Sequence, residues 1–321
     1  MLSAYLTVLG GLALLIFGAD RFVLGAARTA RGLGISPLII GMTIVGFATS
    51  APEVLVGSVA AWEGKTAIAI GNALGSNIAN IGMVLGVTVL FSPLVVTSRT
   101  LRREFWLMCI AVLIALSVTL DHYLSRLDGF ILLVCLIGIT GWVVKLARTS
   151  SATDPLMGEF EKELESKKPI VTSLFLLFAG LALLLGGSLL LVHGAVIIAK
   201  SFGISDLVIG LTVIAIGTSL PELAASIACV IKDEADIAIG NIIGSNMFNM
   251  LMVLGVPALI QPSGFSSEVL YRDFPVMIGM MILMGWMVFI HGRGKFDRLE
   301  GGVLLACFVS YQFWLFHSIA A

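Results

Sequence analysis

Two carboxylates stand in matching short motifs inside long apolar segments of this chain. Glu53 belongs to the stretch GFATSAPEVL and Glu222 to AIGTSLPELA, and each acid follows a threonine, a serine and a proline. An ionised side chain at the centre of a membrane helix costs about 3 kcal/mol on insertion scales, so both acids need a compensating partner. A cation would be such a partner.

Helical spacing places further oxygen atoms beside Glu53. Thr49 and Ser50 precede it by four and three residues, so all three side chains share one helix face. Pro52 has no backbone N–H and disfavours helical geometry in the residue before it, which frees a carbonyl oxygen in the preceding turn. One short segment therefore offers a carboxylate, two hydroxyls and exposed carbonyls.

The next apolar segment adds neutral oxygen ligands, because Asn72, Ser76 and Asn80 recur at every fourth residue. Carboxylate, hydroxyl and amide oxygens without His or Cys suit sodium or calcium, not zinc or copper. Glu53 and Glu222 in one pocket would supply two negative charges, which one divalent ion or several monovalent ions would neutralise.

Both motifs recur at a constant offset of 169 residues, the separation of Glu53 and Glu222. The same offset aligns IAIGNALGSNIANIGMVLG, residues 68–86, with IAIGNIIGSNMFNMLMVLG, residues 237–255. A proline kink or closely spaced glycines alone would indicate only helix packing. Packing does not require a carboxylate, so the repeated acids favour a binding site. Asn77 and Asn246 point away from the Asn80 and Asn249 faces and are expected to tie neighbouring helices together.

The elements that carry these motifs are predicted to be membrane helices. The chain is 58% hydrophobic and 12% charged, with a mean hydropathy of +1.06, which indicates a polytopic membrane protein. Ten apolar runs are long enough to span a bilayer: 5–27, 36–61, 66–91, 104–120, 129–147, 170–199, 205–231, 236–260, 273–290 and 299–318.

A polar segment divides the ten predicted spans into two groups of five. We expect a first five-helix repeat at 1–148, a cytoplasmic linker at 149–169 and a second repeat at 170–321. Since each half has an odd number of spans, the second would enter the membrane from the opposite side. The predicted fold is all-α, with two inverted repeats of the kind found in alternating-access transporters.

The distribution of Lys and Arg predicts the orientation. Outside the spans, only Lys65, Arg126, Lys200 and Arg272 lie opposite the side with most basic residues, so that richer side is predicted to be cytoplasmic. Both termini then face outward from the inner (plasma) membrane. Lipid is the expected environment, a net charge of -1 gives no indication of a nucleic-acid partner, and we expect no cofactor or obligatory protein partner. The four cysteines are scattered through the spans and are expected to be buried apolar residues.

The doubled motif, GFATSAPE with GNALGSNIAN and AIGTSLPE with GNIIGSNMFN, closely resembles the two alpha-repeats of the calcium/cation antiporter superfamily, specifically the sodium/calcium exchanger type. These repeats would cover residues 41–86 and 210–255. The resemblance implies exchange of Na⁺ and Ca²⁺, with spans 1 and 6 sliding against a core of spans 2 to 5 and 7 to 10. It also implies a ligand set, called here the predicted ligand set: Gly46, Thr49, Ser50, Glu53, Ser76, Asn80, Ala215, Thr218, Ser219, Glu222, Ser245 and Asn249, with Gly46 and Ala215 contributing backbone carbonyls.

One departure from the family pattern bears on ion choice. Some members, including potassium-dependent ones, carry aspartate at the position of Asn249, whereas this chain has asparagine there and at Asn80. The missing charge argues against potassium dependence. Proton-coupled cation antiport stays open as an alternative. A cation channel fits inverted repeats and broken helices poorly, and an intramembrane enzyme would need a nucleophile or metal set beside the two acids.

Overall fold

The structure is a computed structural model that describes residues 1–95, 101–150, 170–202, 215–292 and 295–320, most of them helical. Within these ranges seven helical segments are long and apolar enough to cross a membrane, judged by length and composition. They are Leu2–Leu33, Leu38–Trp62, Ile68–Phe91, Arg126–Lys145, Ile170–Ser201, Ala235–Ile260 and Val269–His291. The predicted all-α, multi-span class is confirmed.

The first half alternates α-helices with short π-helical segments and two short strands. In chain order it contains α1 (Leu2–Leu33), α2 (Pro37–Ile40), π1 (Gly41–Val45), α3 (Gly46–Thr49), α4 (Ala51–Trp62), α5 (Thr66–Ala79), π2 (Asn80–Leu85), α6 (Gly86–Phe91), β1 (Leu94–Val95), α7 (Leu101–Thr119), β2 (Tyr123–Leu124) and α8 (Arg126–Ser150). The rest of the predicted linker, 151–169, lies outside the described residues.

Where it is described, the second half follows the order of the first as far as its first strand and then differs by two π-helical segments, one on each side of α14. It contains α9 (Ile170–Ser201), α10 (Ala215–Thr218), α11 (Leu220–Ile231), α12 (Ala235–Phe248), π3 (Asn249–Val253), α13 (Gly255–Ile260), β3 (Ser263–Gly264), π4 (Val269–Asp273), α14 (Phe274–Trp286), π5 (Met287–His291), β4 (Lys295–Phe296) and α15 (Arg298–Ala320). The start of the predicted span 205–231, with Gly210 and Thr212 of the second alpha-repeat, lies outside the described residues. The count of ten spans therefore stays a prediction.

The offset that aligns the motifs also aligns the helix boundaries. α4 and α11 begin at Ala51 and Leu220, and α5 and α12 begin at Thr66 and Ala235. The π-helical segments π2 and π3 likewise begin at the equivalent Asn80 and Asn249. Equivalent sequences in the two halves thus have equivalent local structure.

The long first helices of the two halves, α1 and α9, pack against each other in antiparallel directions. A Cβ at Gly11 of α1 would meet the backbone of Leu191, whereas one at Gly25 would meet that of Leu177, so contacts advance along α1 as they retreat along α9. Glycines on each helix bring the two backbones close together because they have no side chain.

The interior helix of the core is α12, whose residues from Ile237 to Phe248 are all buried. π1 and α2 lie against it, and α5 lies against π3. Two antiparallel ribbons join the halves at their surfaces: in β1–β4 Leu94 pairs with Phe296, and in β2–β3 Tyr123 pairs with Gly264. The core that holds the two glutamate motifs is therefore built from both halves.

Candidate functional site

Glu53 and Glu222 each occupy the first turn of a helix that starts at a break in a longer apolar segment. The breaks fall at Ser50 (φ -81°, ψ 4°) and Ser219 (φ -89°, ψ 2°), directly before α4 and α11. Pro52 lies in the first turn of α4, where its missing N–H removes no helical hydrogen bond. The break therefore lies at Ser50, one residue before Ala51, where the sequence predicted it. A helix N-terminus carries partial positive charge, which favours an acid in the first turn.

Both acids are almost completely enclosed, with about 1% of each residue exposed. Oε2 of Glu53 and both carboxylate oxygens of Glu222 have no hydrogen-bond partner within the described part of the chain. The hydroxyls of Ser50 and Ser219 are also buried without a hydrogen-bond partner among the described residues. Buried polar atoms are normally paired, and a buried charge normally has a counter-charge. The donor set is therefore one that a cation would complete.

The two halves bring these groups to one place. The carboxylate of Glu222 lies within electrostatic range of Glu53 and faces Thr49 and Ser50 from the other half. Ser245 Oγ lies 3.3 Å from Thr49 Oγ1 and 3.4 Å from the carbonyl oxygen of Gly46. Gly46, Thr49, Ser50 and Glu53 of the first half thus lie near Glu222 or Ser245 of the second half.

The asparagines of the predicted set sit where an α-helix changes into a π-helix. Asn80 and Asn249 are the first residues of π2 and π3, both are buried, and neither amide group has a partner in the described ranges. Ser76, one turn before Asn80, is also buried. A π-helical turn is wider than an α-helical turn, so it orients these amides differently from a regular helix. Such turns often occur at functional sites.

Two further members of the set lie just before the second break. Ala215 begins α10 and Thr218 ends it, immediately before the break at Ser219. These positions are equivalent to Gly46 and Thr49 in the first half. The placement of the Ala215 carbonyl as a ligand stays a prediction.

Sequence reasoning left Asn241 and Ser226 out of the predicted ligand set. Thr49 Oγ1 donates to Asn241 Oδ1 at 3.1 Å, and Asn241 Nδ2 donates to Ser226 Oγ at 3.3 Å. The available signal was the repeated Gly-Asn pair, which includes Asn72 and Asn241. Asn72 itself donates to the backbone carbonyl of Glu53 at 3.1 Å.

Asn77 joins two helices outside the predicted ligand set. Its Nδ2 donates to the backbone carbonyl of Asn246 at 3.2 Å and so connects α5 to α12 at equivalent positions of the halves. This is the helix-tying contact expected of Asn77, whereas the side-chain amide of Asn246 has no hydrogen-bond partner among the described residues.

Charged residues on α1 connect it to the turn between α11 and α12. Asp20 lies 2.5 Å from Lys232 and 3.7 Å from Arg21, and Arg31 pairs with Glu234. Asp20 and Arg21 lie within α1, which continues to Leu33.

Among the described residues, no group of three or more His, Cys, Asp or Glu side chains is placed to hold a metal ion. The oxygen-lined site instead combines two carboxylates with hydroxyls, amides and backbone carbonyls, a mixture suited to hard cations. Fold and site together define a polytopic helical membrane protein in which each half contributes one glutamate to a single buried site.

Comparison with known proteins identifies the family. A sequence profile of the sodium/calcium exchanger protein family matches residues 3–145 and 172–317, one match in each half. The chain therefore belongs to the sodium/calcium exchanger family, which confirms the resemblance found in the motifs. This is a family of transporters and not of enzymes.

Individual relatives cover nearly the whole chain. CaxA of Alkalimonas amylolytica is 47% identical over 319 residues, 99% of this chain and 100% of the relative. The inner membrane protein YrbG of Escherichia coli strain K12 is 41% identical over 321 residues, 98% of each protein. A solved structure of the sodium-calcium exchanger NCX_Mj, soaked with 2.5 mM Na⁺ and 0.1 mM Ca²⁺, is similar with a TM-score of 0.82 and 33% identity, covering 96% of this chain and 97% of that one.

Proposed function

We propose that this protein is a secondary active antiporter that exchanges Ca²⁺ for Na⁺ across the inner (plasma) membrane. The observation that carries the proposal is the closeness of Glu53 and Glu222, one from each half and both buried, with three of their four carboxylate oxygens lacking a hydrogen-bond partner among the described residues. Membership of the sodium/calcium exchanger family supports the choice of ions.

Charge balance explains how one site would serve both ions. Two carboxylates neutralise one Ca²⁺. More than one Na⁺ ion would have to bind to give the same charge. Calcium accepts six to eight oxygen ligands, and the predicted ligand set supplies carboxylate, hydroxyl, amide and carbonyl oxygens. Since both ions need the same two acids, occupancy by one excludes the other, and this competition couples their movement.

Alternating access requires a fold that can open on either side, and inverted repeats provide one. The antiparallel packing of α1 and α9 and the equal offset of equivalent helices support two oppositely oriented five-span halves. In this arrangement α1 and α9 move against the remaining helices, both termini face outward, and the linker 149–169 is cytoplasmic. The ions are the substrates, and the cycle uses no cofactor.

Uptake of labelled calcium into everted membrane vesicles tests the proposal. Vesicles containing the protein and loaded with Na⁺ should accumulate calcium when diluted into Na⁺-free buffer, and should do so far less when Na⁺ is equal on both sides. A Glu53→Gln, Glu222→Gln double variant at equal expression serves as the control.

The same assay separates the alternatives. Uptake driven by an imposed pH gradient and indifferent to Na⁺ would replace sodium coupling with proton coupling. Calcium flux that needs no counter-ion on the far side would indicate a channel. An unaltered rate in the double variant would mean that the two glutamates do not form the transport site.

A further inference from the structure

Asn241 contacts the predicted ligand set through one end of its amide and a separate anchor through the other. Its Oδ1 accepts hydrogen bonds from Thr49 Oγ1 at 3.1 Å and from Ser245 Oγ at 3.4 Å. Its Nδ2 donates to Ser226 Oγ at 3.3 Å. All four side chains belong to residues that are 0% exposed, so water does not compete for these bonds, and Ser226 fixes the amide with its oxygen toward the two hydroxyls.

The direction of a hydroxyl proton decides whether its oxygen can bind a cation. A serine or threonine hydroxyl has one proton and two lone pairs, and a cation ligand must turn a lone pair toward the ion. Thr49 and Ser245 also lie 3.5 and 3.4 Å from the carbonyl oxygen of Gly46, itself a predicted ligand. Protons directed there would occupy that carbonyl and reduce its capacity for the ion.

We propose that Asn241 is a positioning residue of the ion site, accepting the hydroxyl protons of Thr49 and Ser245 so that both oxygens present lone pairs to the bound cation. Ser226 keeps the amide in the orientation that this requires. This role rests on the proposed function, since it concerns how the same site binds Ca²⁺ and Na⁺. Asn241 itself acts through the two hydroxyls.

A buried asparagine outside the predicted ligand set provides a matched control. Asn77 is 1% exposed and its Nδ2 donates to the backbone carbonyl of Asn246 at 3.2 Å. Both asparagines are therefore buried amides that connect helices, but only Asn241 contacts hydroxyls of the predicted ligand set. A role confined to helix packing would affect both alike, whereas the positioning role applies to Asn241.

Calcium binding to the purified protein in detergent, measured by titration calorimetry, tests the role directly. In Asn241→Leu the volume is kept and the acceptor is lost, so we expect the Ca²⁺ concentration for half-saturation to rise about tenfold, the effect of about two hydrogen bonds. Asn77→Leu removes a buried amide outside the predicted ligand set and leaves Asn241 untouched, so its half-saturation should stay within about threefold of the parent. Vesicle uptake should follow the same order, with a larger change in half-saturation than in maximal rate.

Folding is checked by size-exclusion profile and thermal unfolding, and Ser226→Ala gives a second route if Asn241→Leu does not fold. Ser226→Ala retains the acceptor but removes its anchor, and we expect half-saturation to rise about threefold. Unchanged calcium binding in Asn241→Leu overturns the role. If Asn241→Leu does not fold, unchanged binding in Ser226→Ala overturns it. An equal loss in Asn77→Leu does the same. A parent protein that neither binds nor exchanges Ca²⁺ refutes the proposed function first, so the two failures are distinguishable.

Discussion

Glu53 and Glu222 are buried at a cost that the protein atoms around them do not offset. A carboxylate taken out of water normally regains hydrogen bonds or a counter-charge. Three of the four carboxylate oxygens of these residues have no hydrogen-bond partner among the described residues. The first-turn positions in α4 and α11 supply only partial positive charge. Like charges in one pocket also repel each other. A cation shared by both acids removes the repulsion and supplies the missing contacts.

Replacing either acid by its amide separates charge from shape. Glu53→Gln or Glu222→Gln should reduce Na⁺-driven calcium uptake at least about 100-fold, since one lost charge in a buried site costs several kcal/mol of cation binding. The folded protein should persist because a neutral amide is easier to bury than a carboxylate. Glu63→Gln is the control, as Glu63 is exposed and pairs with Lys65 at 2.8 Å. Parent-like uptake in either site variant would contradict a shared two-carboxylate site.

At the scale of elements, the sequence predicted the helix breaks but not the π-helical turns. Pro52 and Pro221 mark the breaks because proline lacks a backbone donor, and the breaks fall within two residues of them. No comparable residue type marks π2 and π3, which depend on packing around Asn80 and Asn249. These turns therefore became visible only in three dimensions.

The contacts of Asn241 could not be read from spacing either. Helical periodicity relates residues three or four positions apart, and it correctly grouped Thr49 with Glu53. Thr49 and Asn241 are 192 positions apart, and only the packing of α3 against α12 brings them together. The repeat identified equivalent positions, but Asn72 and Asn241 have different partners despite their equivalent sequences.

The glycines along α1 and α9 hold together the helix pair that is proposed to move against the remaining helices. On α9, a Cβ at Gly187 would lie 2.5 Å from the backbone nitrogen of Leu15, closer than real Cβ contacts, whereas nothing described lies within 4 Å of one at Gly186. Small residues let two helices approach closely. This pair of adjacent glycines gives an internal comparison.

Gly187→Ala should force α1 and α9 apart and lower the free energy of unfolding by about 1–3 kcal/mol, the usual cost of overpacking. Calcium uptake should fall as well, because a distorted α1–α9 pair would no longer fit the helices against which it is proposed to move. Gly186→Ala should stay close to the parent in both respects, since alanine favours the helix and meets open space. Thermal unfolding in detergent and vesicle uptake measure the two effects. Equal behaviour of the two variants would argue that this interface is not close-packed.

At the scale of the whole molecule, the two halves share one local structure and one family profile. Equivalent helices begin at the same offset, and the profile matches each half separately. Sequence alone predicted this division because the motifs repeat without a gap from Gly41 to Gly86 and from Gly210 to Gly255. What it could not supply is the relative placement of the halves, which follows from side-chain packing across α1, α9 and α12. The antiparallel direction of α1 and α9 is the structural feature that relates most directly to opposite orientation in the membrane.

The turns after α4 and α11 allow that orientation to be tested at equivalent positions. Gly64 and Asp233 are the equivalent left-handed residues of these turns, with φ of 77° and 57°. Inverted halves place the two turns on opposite sides, and the Lys and Arg distribution puts the α4 turn outside.

Glu63→Cys and Asp233→Cys, made separately in a chain whose four cysteines are replaced by alanine, introduce one exposed thiol each. A membrane-impermeant maleimide should label Glu63→Cys in intact cells and Asp233→Cys in everted vesicles, at least about tenfold faster than from the other side, because the bilayer excludes a charged reagent. Labelling of both positions from the same side would contradict the inverted repeats, and with them the ten-span arrangement.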